Sequence, residues 1–585
     1  MTLTRLLAGF IRRQRRGYFS AALMLVSIAA LTALVPRLVG ALVDGLVAGR
    51  LGGTALLRQV GLLVLTGAVI YLLRAGWRLI LFAASYKLGV ELRTRLYARM
   101  CLHGPGFYQQ QRTGNLMALA TNDIDAIEMA AGEAFLAGFD GTLSLLMVVS
   151  IMALGIDARL TLVALLPFPL MAIAFWRIST RIHDASALAL TRFGALNDHV
   201  QETLAGVRTM RALGLETRSS QQFAELAAKA ADANFDAQRW EAAYEPAVGL
   251  TLTVAATLTL SLGSYLYWQH QVSIGDLTSF SMYLGQLIWP MFAAGWVLSL
   301  LERARAAWER LQPMLDAPLT ILDQGDLTDL NPGQLQLMDV GFRYEGQTQD
   351  ALAHIDLQLQ AGQTLGIVGP TGSGKSTLLR LLMRQYEPAS GSICWSGQPL
   401  AAYSLATLRQ AISWVPQESF LFSAPINENI ALAKPDASQI EIERVARLAS
   451  IDEDIARFAQ GYATLVGERG ITLSGGQRQR IAIARALLAD SHLLLLDDAL
   501  SAVDTGTETA ILQHLAELRA GPEQGERCVI IASHRLSAVA QADQIVVLHD
   551  GRISARGTHE QLLASEGWYA AQWRYQQLEA SLDAI

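Results

Sequence analysis

The octapeptide Gly369-Pro370-Thr371-Gly372-Ser373-Gly374-Lys375-Ser376 follows the spacing G-x-x-x-x-G-K-S, and these residue types suit phosphate chemistry. Its glycines let backbone N–H groups turn toward a phosphate, Lys375 reaches the terminal phosphates of a nucleotide, and the Ser376 hydroxyl is placed to ligate Mg²⁺. The apolar stretch Thr364–Val368 before it reads as a strand, and Thr377–Met383 after it reads as a helix whose N-terminus adds positive potential. A structural glycine-rich turn has the same composition, so a second requirement decides. Leu493-Leu494-Leu495-Leu496-Asp497 supplies it, since four leucines ending in an acid describe a buried parallel strand that delivers a carboxylate to its C-terminal edge, near the metal.

The elements that must hold these groups fall into two compositions. The chain has 585 residues and 63.4 kDa, 52% hydrophobic and 17% charged, with a mean hydropathy of +0.28. That excludes disorder and favours an integral membrane component. Up to about Leu301, apolar stretches alternate with charged helical ones; candidate spans are Ser20–Asp44, Val60–Ala84, Met129–Ala153, Leu160–Trp176, Pro246–Trp268 and Leu277–Leu300. Six spans put both termini on one side. Arg12, Arg13, Arg15 and Arg16 before the first span, and Lys87, Arg93, Arg95, Arg99 and Arg112 after the second, make that side cytoplasmic. The run from Ala21 to Val35 passes into Pro36-Arg37 without a small-residue cleavage site, so it reads as an uncleaved span rather than a signal peptide. Leu3, Leu6, Leu7, Phe10 and Ile11 recur at helical spacing, suiting either an interfacial helix or ordinary buried surface.

The intervals Tyr86–Glu128 and Arg177–Glu245 read as cytosolic helical extensions of the spans, with turns expected at Thr113-Gly114-Asn115 and Leu213-Gly214-Leu215, where a short transverse helix could dock. Arg74, Arg78 and Asp140 are costly at bilayer depth and should face protein or water, with an ion pair between Arg74 and Asp140 as one arrangement. Leu311–Pro332, rich in Pro and Asp, reads as a linker. The expected organisation is a transmembrane domain over 1–310 with six spans and two long helical hairpins, a linker over 311–333 and a nucleotide-binding domain over 334–585. Cys101, Cys394 and Cys528 are odd in number and far apart, so neither a disulfide framework nor a zinc ribbon is expected. A net charge of −6 gives no basic surface for nucleic acid.

Leu473-Ser474-Gly475-Gly476-Gln477 stands directly before an expected helix, Arg478–Leu488, and about 105 residues after Gly369. With this pentapeptide, Leu335–Tyr575 resembles an ATP-binding-cassette nucleotide-binding domain, and the whole chain resembles a half-transporter of the exporter-fold class. The resemblance implies a membrane all-α six-helix domain of the exporter fold followed by an α/β P-loop cassette. It implies ATP and Mg²⁺ as ligands, held by Gly369–Thr377, with Ser376, Gln417 and Asp497 on the metal. Tyr344 matches the aromatic that stacks on adenine, Gln417 the glutamine that contacts metal and attacking water, and His534 the switch histidine at the γ-phosphate. Gly467-Glu468-Arg469-Gly470 matches a segment that senses the intracellular helices, and Ser501-Ala502-Val503-Asp504 a loop at the dimer seam. His549 and His559 are assigned to solvated surface.

In the family, the signature acts in trans, so Ser474, Gly475, Gly476 and Gln477 would cap nucleotide held by a partner's phosphate loop. A dimer of half-transporters, with a twelve-span pore worked by alternating access, is therefore implied. One departure matters most. The residue after Asp497 is Asp498, where the family normally carries a glutamate that polarises the attacking water. Losing one methylene withdraws the carboxylate by about 1.5 Å, and a misplacement near 1 Å can cost on the order of 100-fold. That implies a weakly catalytic or non-catalytic site and a second, different half-transporter chain carrying the competent one. The expected activity is ATP-driven export of a hydrophobic or amphipathic substrate across the bacterial cytoplasmic membrane; a siderophore-type importer and a lipid flippase share these motifs. A soluble cassette ATPase is excluded by the six spans.

Overall fold

Residues 2–111, 113–467, 473–520 and 526–583 are described by a computed structural model of the chain. Glu468, Arg469 and Gly470, from the segment before the signature, lie outside the described residues, as does Arg112. The chain divides into two compact units, one of Met1–Arg99 with Gly114–Ala317 and the other of Met100–Thr113 with Pro318–Ile585.

Among the described residues of the first unit, six helices are long and apolar enough to cross a bilayer: α1 (Arg15–Val47), α2 (Gly53–Leu102), α3 (Thr113–Gly155), α4 (Ala158–Ala205), α5 (Glu216–Trp268) and α6 (Ile274–Asp316). At 33 to 53 residues each, they exceed the ~20 residues a bilayer requires, so the charged intervals continue the spans as helix. α1 runs straight through Pro36. Proline has no N–H to give the Thr32 carbonyl; α6 supplies a donor in its place and adds a second bond one residue on. Gln286 Nε2 donates to Thr32 O at 3.2 Å, and the buried Tyr283 hydroxyl donates to Ala33 O at 2.5 Å. Asp44, near the end of α1, accepts from Gly275 N at 2.7 Å and Ser273 Oγ at 2.6 Å, placing an anion at the N-terminus of α6. Arg37 Nη2 donates to Gly155 O at 2.7 Å, placing a cation at the C-terminus of α3.

Of the two readings of the helix Leu3–Arg13, the structure favours buried surface: Leu3, Leu6 and Phe10 are buried within its own unit. Two sequence expectations change. The first hairpin turns earlier than Thr113-Gly114-Asn115: Gly104 is extended and Pro105 takes the first helical position, starting a short helix at Pro105–Gln110. α6 carries on through Leu311 and Pro313 to Asp316, anchored by the fully buried Leu311, so the connection begins at Ala317 rather than at residue 311.

The second unit holds two sheets. The antiparallel one has the order β2 (Leu352–Leu359), β1 (Leu335–Phe342), β4 (Ser390–Trp395), β5 (Gln398–Pro399). The larger has the order β10 (Arg552–Gly557), β9 (Gln544–His549), β3 (Thr364–Val368), β8 (Cys528–Ala532), β7 (Leu493–Asp497), β6 (Ile412–Val415), and from β9 to β6 its strands are parallel. β7 and β8 are buried along their whole length, which is why they read as unbroken apolar runs. The short helix Pro105–Gln110 belongs to this unit: Gln110 Nε2 donates to Glu345 at 2.9 Å, and the His103 and Phe107 rings stack at 4.0 Å. His559 is not simply solvated, because it bonds the Tyr569 hydroxyl at 2.7 Å and lies against Trp573; His549 is exposed.

Candidate functional site

The order of the parallel strands explains the site. β3, β8, β7 and β6 lie side by side, with Ile367 in register with Ala532, Ala532 with Asp497, and Leu496 with Val415. Their C-terminal ends therefore open on one edge, and the segments that leave them carry Gly369–Ser376, His534, Asp497-Asp498 and Gln417 in turn. Four motifs spread over some 165 residues of sequence meet because one sheet aligns them.

After β3 the chain makes its glycine turn and enters α7 (Lys375–Leu382) at a left-handed Gly374, φ 102°. A Cβ there would lie 2.7 Å from the Ala351 carbonyl, so glycine is required by contact as well as by conformation. Lys375 is buried, and its ammonium donates to Gly369 O at 2.8 Å and Pro370 O at 3.0 Å. Ser376 Oγ donates to Asp497 Oδ1 at 2.8 Å, so hydroxyl and carboxylate share one point. Thr371 and Gly372 are exposed, and the buried Ser373 Oγ has no hydrogen-bond partner among the described residues. The Thr377 hydroxyl meets Tyr344 OH at 3.0 Å, while the Tyr344 ring packs edge-on to Phe342 and Tyr386.

Burial pushes the Lys375 ammonium below its ordinary range, against the pull of Asp498 and Asp497. Burial likewise raises the Asp497 carboxyl, against Ser376, Arg380 and Lys375. A desolvated cation held by backbone carbonyls, a desolvated carboxylate beside a hydroxyl, and an unpartnered buried Ser373 hydroxyl complement a polyphosphate and a divalent cation. The donor set fits both Mg²⁺ and a nucleotide.

Asp498 has a left-handed backbone, φ 51°, and its carboxylate accepts the His534 backbone N–H at 3.4 Å. Aspartate tolerates that conformation better than most residues. Its own carbonyl is bound by Ser501 Oγ at 2.8 Å, tying it to the next loop. Burial, followed by the nearby Lys375, lowers the His534 pKa below 6.5, so the neutral ring prevails at pH 7. Gln417 is exposed in the loop after β6.

The pentapeptide opens α8 (Gly475–Leu488), which starts three residues before the expected Arg478 because Ser474 caps it. Gln477 N donates to Ser474 Oγ at 3.2 Å and Ser474 N donates to Gln477 Oε1 at 3.0 Å, a reciprocal capping box. Gln477 was expected among the nucleotide contacts; its carbonyl oxygen is committed to this cap. The Ser-x-x-Gln spacing before an apolar helix was the signal. A Cβ on Gly476 would lie 2.8 Å from the Ala502 carbonyl, and Ala502 N donates to Gln479 Oε1 at 3.0 Å, so this helix and the loop after β7 are locked together.

Sequence reasoning missed the groups that fix the His534 turn. Gln576, in the helix Trp568–Asp583, donates to His534 O at 2.7 Å and accepts from Leu536 N at 2.9 Å. The buried Glu508 binds Arg535 at 2.8 Å and Ser537 at 2.9 Å. No local pattern announces either residue, since their partners lie 40 and about 30 positions away.

Six apolar helices leading into a P-loop cassette, with a signature helix beside it, define an exporter-type half-transporter, and the chain belongs to the ABC transporter family. Residues 19–291 match the family model for the ABC transporter transmembrane region and residues 352–501 the one for ABC transporter. Over 583 residues, covering 100% of this chain and 98% of the relative, it is 43% identical to the multidrug resistance-like ATP-binding protein MdlA of Escherichia coli (strain K12). It is 38% identical to the probable multidrug resistance ABC transporter ATP-binding/permease protein YheI of Bacillus subtilis (strain 168), covering 96% of this chain and 95% of that protein. A bacterial Atm1-family ABC exporter solved with ATP bound superposes with a TM-score of 0.80 at 28% identity, over 97% of this chain and 98% of that one.

Proposed function

We propose that this chain is one half of a heterodimeric exporter in which its own phosphate loop binds Mg-ATP at a weakly catalytic site, while its signature completes the competent site of a different, MdlB-like chain. The observation that carries this reading is Asp498: the shorter acid follows Asp497, its backbone is left-handed, and its carboxylate is turned toward the His534 N–H. A general base must reach the water it activates, and this one is both short and engaged.

The roles follow from position. Lys375 and the backbone N–H groups of the segment Gly369–Thr377, Pro370 having none, hold the phosphates, Tyr344 stacks on adenine, and Ser376, Asp497 and Gln417 would hold Mg²⁺. When bound, the metal withdraws charge from the phosphate oxygens. His534, kept neutral by burial and Lys375, donates one hydrogen bond to the γ-phosphate. Ser474, Gly475 and Gly476 present a capped helix N-terminus to nucleotide on the partner. Gln477 contributes chiefly by fixing that cap. ATP binding and hydrolysis at the seam drive alternating access of twelve spans, exporting a hydrophobic or amphipathic substrate across the cytoplasmic membrane. Both termini are cytoplasmic, as the Lys/Arg bias requires.

The test is purification of the full chain alone and with its partner. Alone it should bind Mg-ATP and turn over little; the pair should turn over steadily and lose that activity in Ser474→Arg. Turnover by the lone chain at the pair's rate would refute the reading.

A further inference from the structure

The membrane unit contains a cavity whose two lobes, each of about 440 Å³, share Arg74, Asp140 and Trp289. One lobe brings Arg74 and Arg78, one turn apart on α2, together with Glu133 and Asp140 from α3. The expected Arg74–Asp140 ion pair does not form. Instead, Asp140 Oδ2 accepts from Trp289 Nε1 at 3.0 Å, and no carboxylate among the described residues lies within ion-pair distance of Arg74 or Arg78. Opposite charges therefore line one lobe without meeting. Trp289 and Trp296 pack edge-to-face at 6.3 Å beside them, and the other lobe is walled by Ile28, Val148, Met147 and Phe292.

Ionised groups at bilayer depth are costly and mark ligand paths. Resting on the transporter reading above, we propose that this cavity takes an amphipathic molecule with a zwitterionic head. The head's anionic group lies on Arg74 and Arg78, its ammonium lies between the carboxylates of Asp140 and Glu133 and the Trp289 and Trp296 rings, and its tail lies in the apolar lobe. A purely cationic amphiphile would meet the two arginines unpaired, and a purely anionic one the two carboxylates, so each is disfavoured by one wall.

The test uses the full chain in nanodiscs and equilibrium binding of three labelled probes sharing one alkyl tail: an alkylphosphocholine, an alkyl phosphate and an alkyltrimethylammonium. The wild type should bind the phosphocholine about tenfold more tightly than either other probe, one charge-assisted contact being worth about that factor. Arg74→Gln should move the preference about tenfold toward the alkylammonium and Asp140→Asn about tenfold toward the alkyl phosphate, with Arg78→Gln repeating the first shift if Arg74→Gln does not fold. Competition by zwitterionic lipid built into the nanodisc assigns the bilayer as source, and its absence assigns a water-borne amphiphile; either supports the proposal. Equal affinity for all three probes, or an unchanged order in the variants, overturns it. Mg-ATP binding is measured in the same preparation, so that its loss counts against the transporter reading and not against this one.

Discussion

Asp498→Glu isolates the feature on which the asymmetric reading depends. The substitution adds one methylene, about 1.5 Å of reach, at a site where ~1 Å of misplacement costs on the order of 100-fold in rate. That factor corresponds to about 2.7 kcal/mol of transition-state stabilisation. Against it stands the backbone: φ at 498 is 51°, and a residue with a longer side chain pays about 1 kcal/mol there that aspartate largely avoids. The His534 N–H, now bonded to Asp498 at 3.4 Å, also loses its acceptor unless the glutamate folds back. The variant should therefore gain 10- to 100-fold in single-turnover phosphate release while its nucleotide-binding unit melts about 2–4 °C lower. The assay is single-turnover hydrolysis in the assembled pair with the partner's glutamate changed to Gln, so that only this chain's site can fire. Wild-type Asp498 releasing phosphate at the full rate of the pair, or no gain in the variant with nucleotide still bound, would refute the argument.

Lys375→Ala removes a buried charged donor, and Mg-ATP affinity should fall about 10- to 100-fold by equilibrium dialysis, the worth of one charge-assisted hydrogen bond. Gly476→Ala forces a Cβ to within 2.8 Å of the Ala502 backbone, an overpacking expected to cost about 1–3 kcal/mol and to appear as a lower midpoint in denaturant; an unchanged midpoint would show that the loop yields freely. Because His534 titrates below 6.5 in the folded state, the unfolded chain takes up that proton first, and stability is lost as pH falls below about 6.5. Between pH 7.5 and 5.5 the wild type should lose more stability than His534→Gln, and identical losses would remove His534 from the account. Tyr283→Phe removes the buried hydroxyl's hydrogen bond to the Ala33 carbonyl beside Pro36; thermal unfolding in detergent should report a cost of about 0.5–1.5 kcal/mol.

Local signals carried much of this protein. Hydropathy located the six spans because a bilayer accepts only helices of sufficient apolar length. The strand Thr364–Val368, the glycine turn and the four leucines before Asp497 are legible because a buried parallel strand and a phosphate turn each require particular residue types over a few positions. Boundaries were less legible: α6 outran the expected linker, and the first tip helix began at Pro105 rather than near Thr113. A proline or glycine cluster weakens a helix, but burial elsewhere along the chain decides whether it ends there.

Only the tertiary structure placed β8 between β3 and β7, which is what brings His534 to the edge shared by Lys375 and Asp497. It alone showed Gln576 and Glu508 holding the His534 turn, Gln286 replacing the donor that Pro36 lacks with Tyr283 bonded beside it, and Trp289 taking the bond on Asp140 that the sequence offered to Arg74. Each of these pairs joins residues from about 30 to more than 250 positions apart. Backbone propensity and side-chain periodicity act over a turn or a strand, so the sequence determines which groups must be satisfied. Which distant partner satisfies each one depends on how whole elements pack, and that is settled only when the chain has folded.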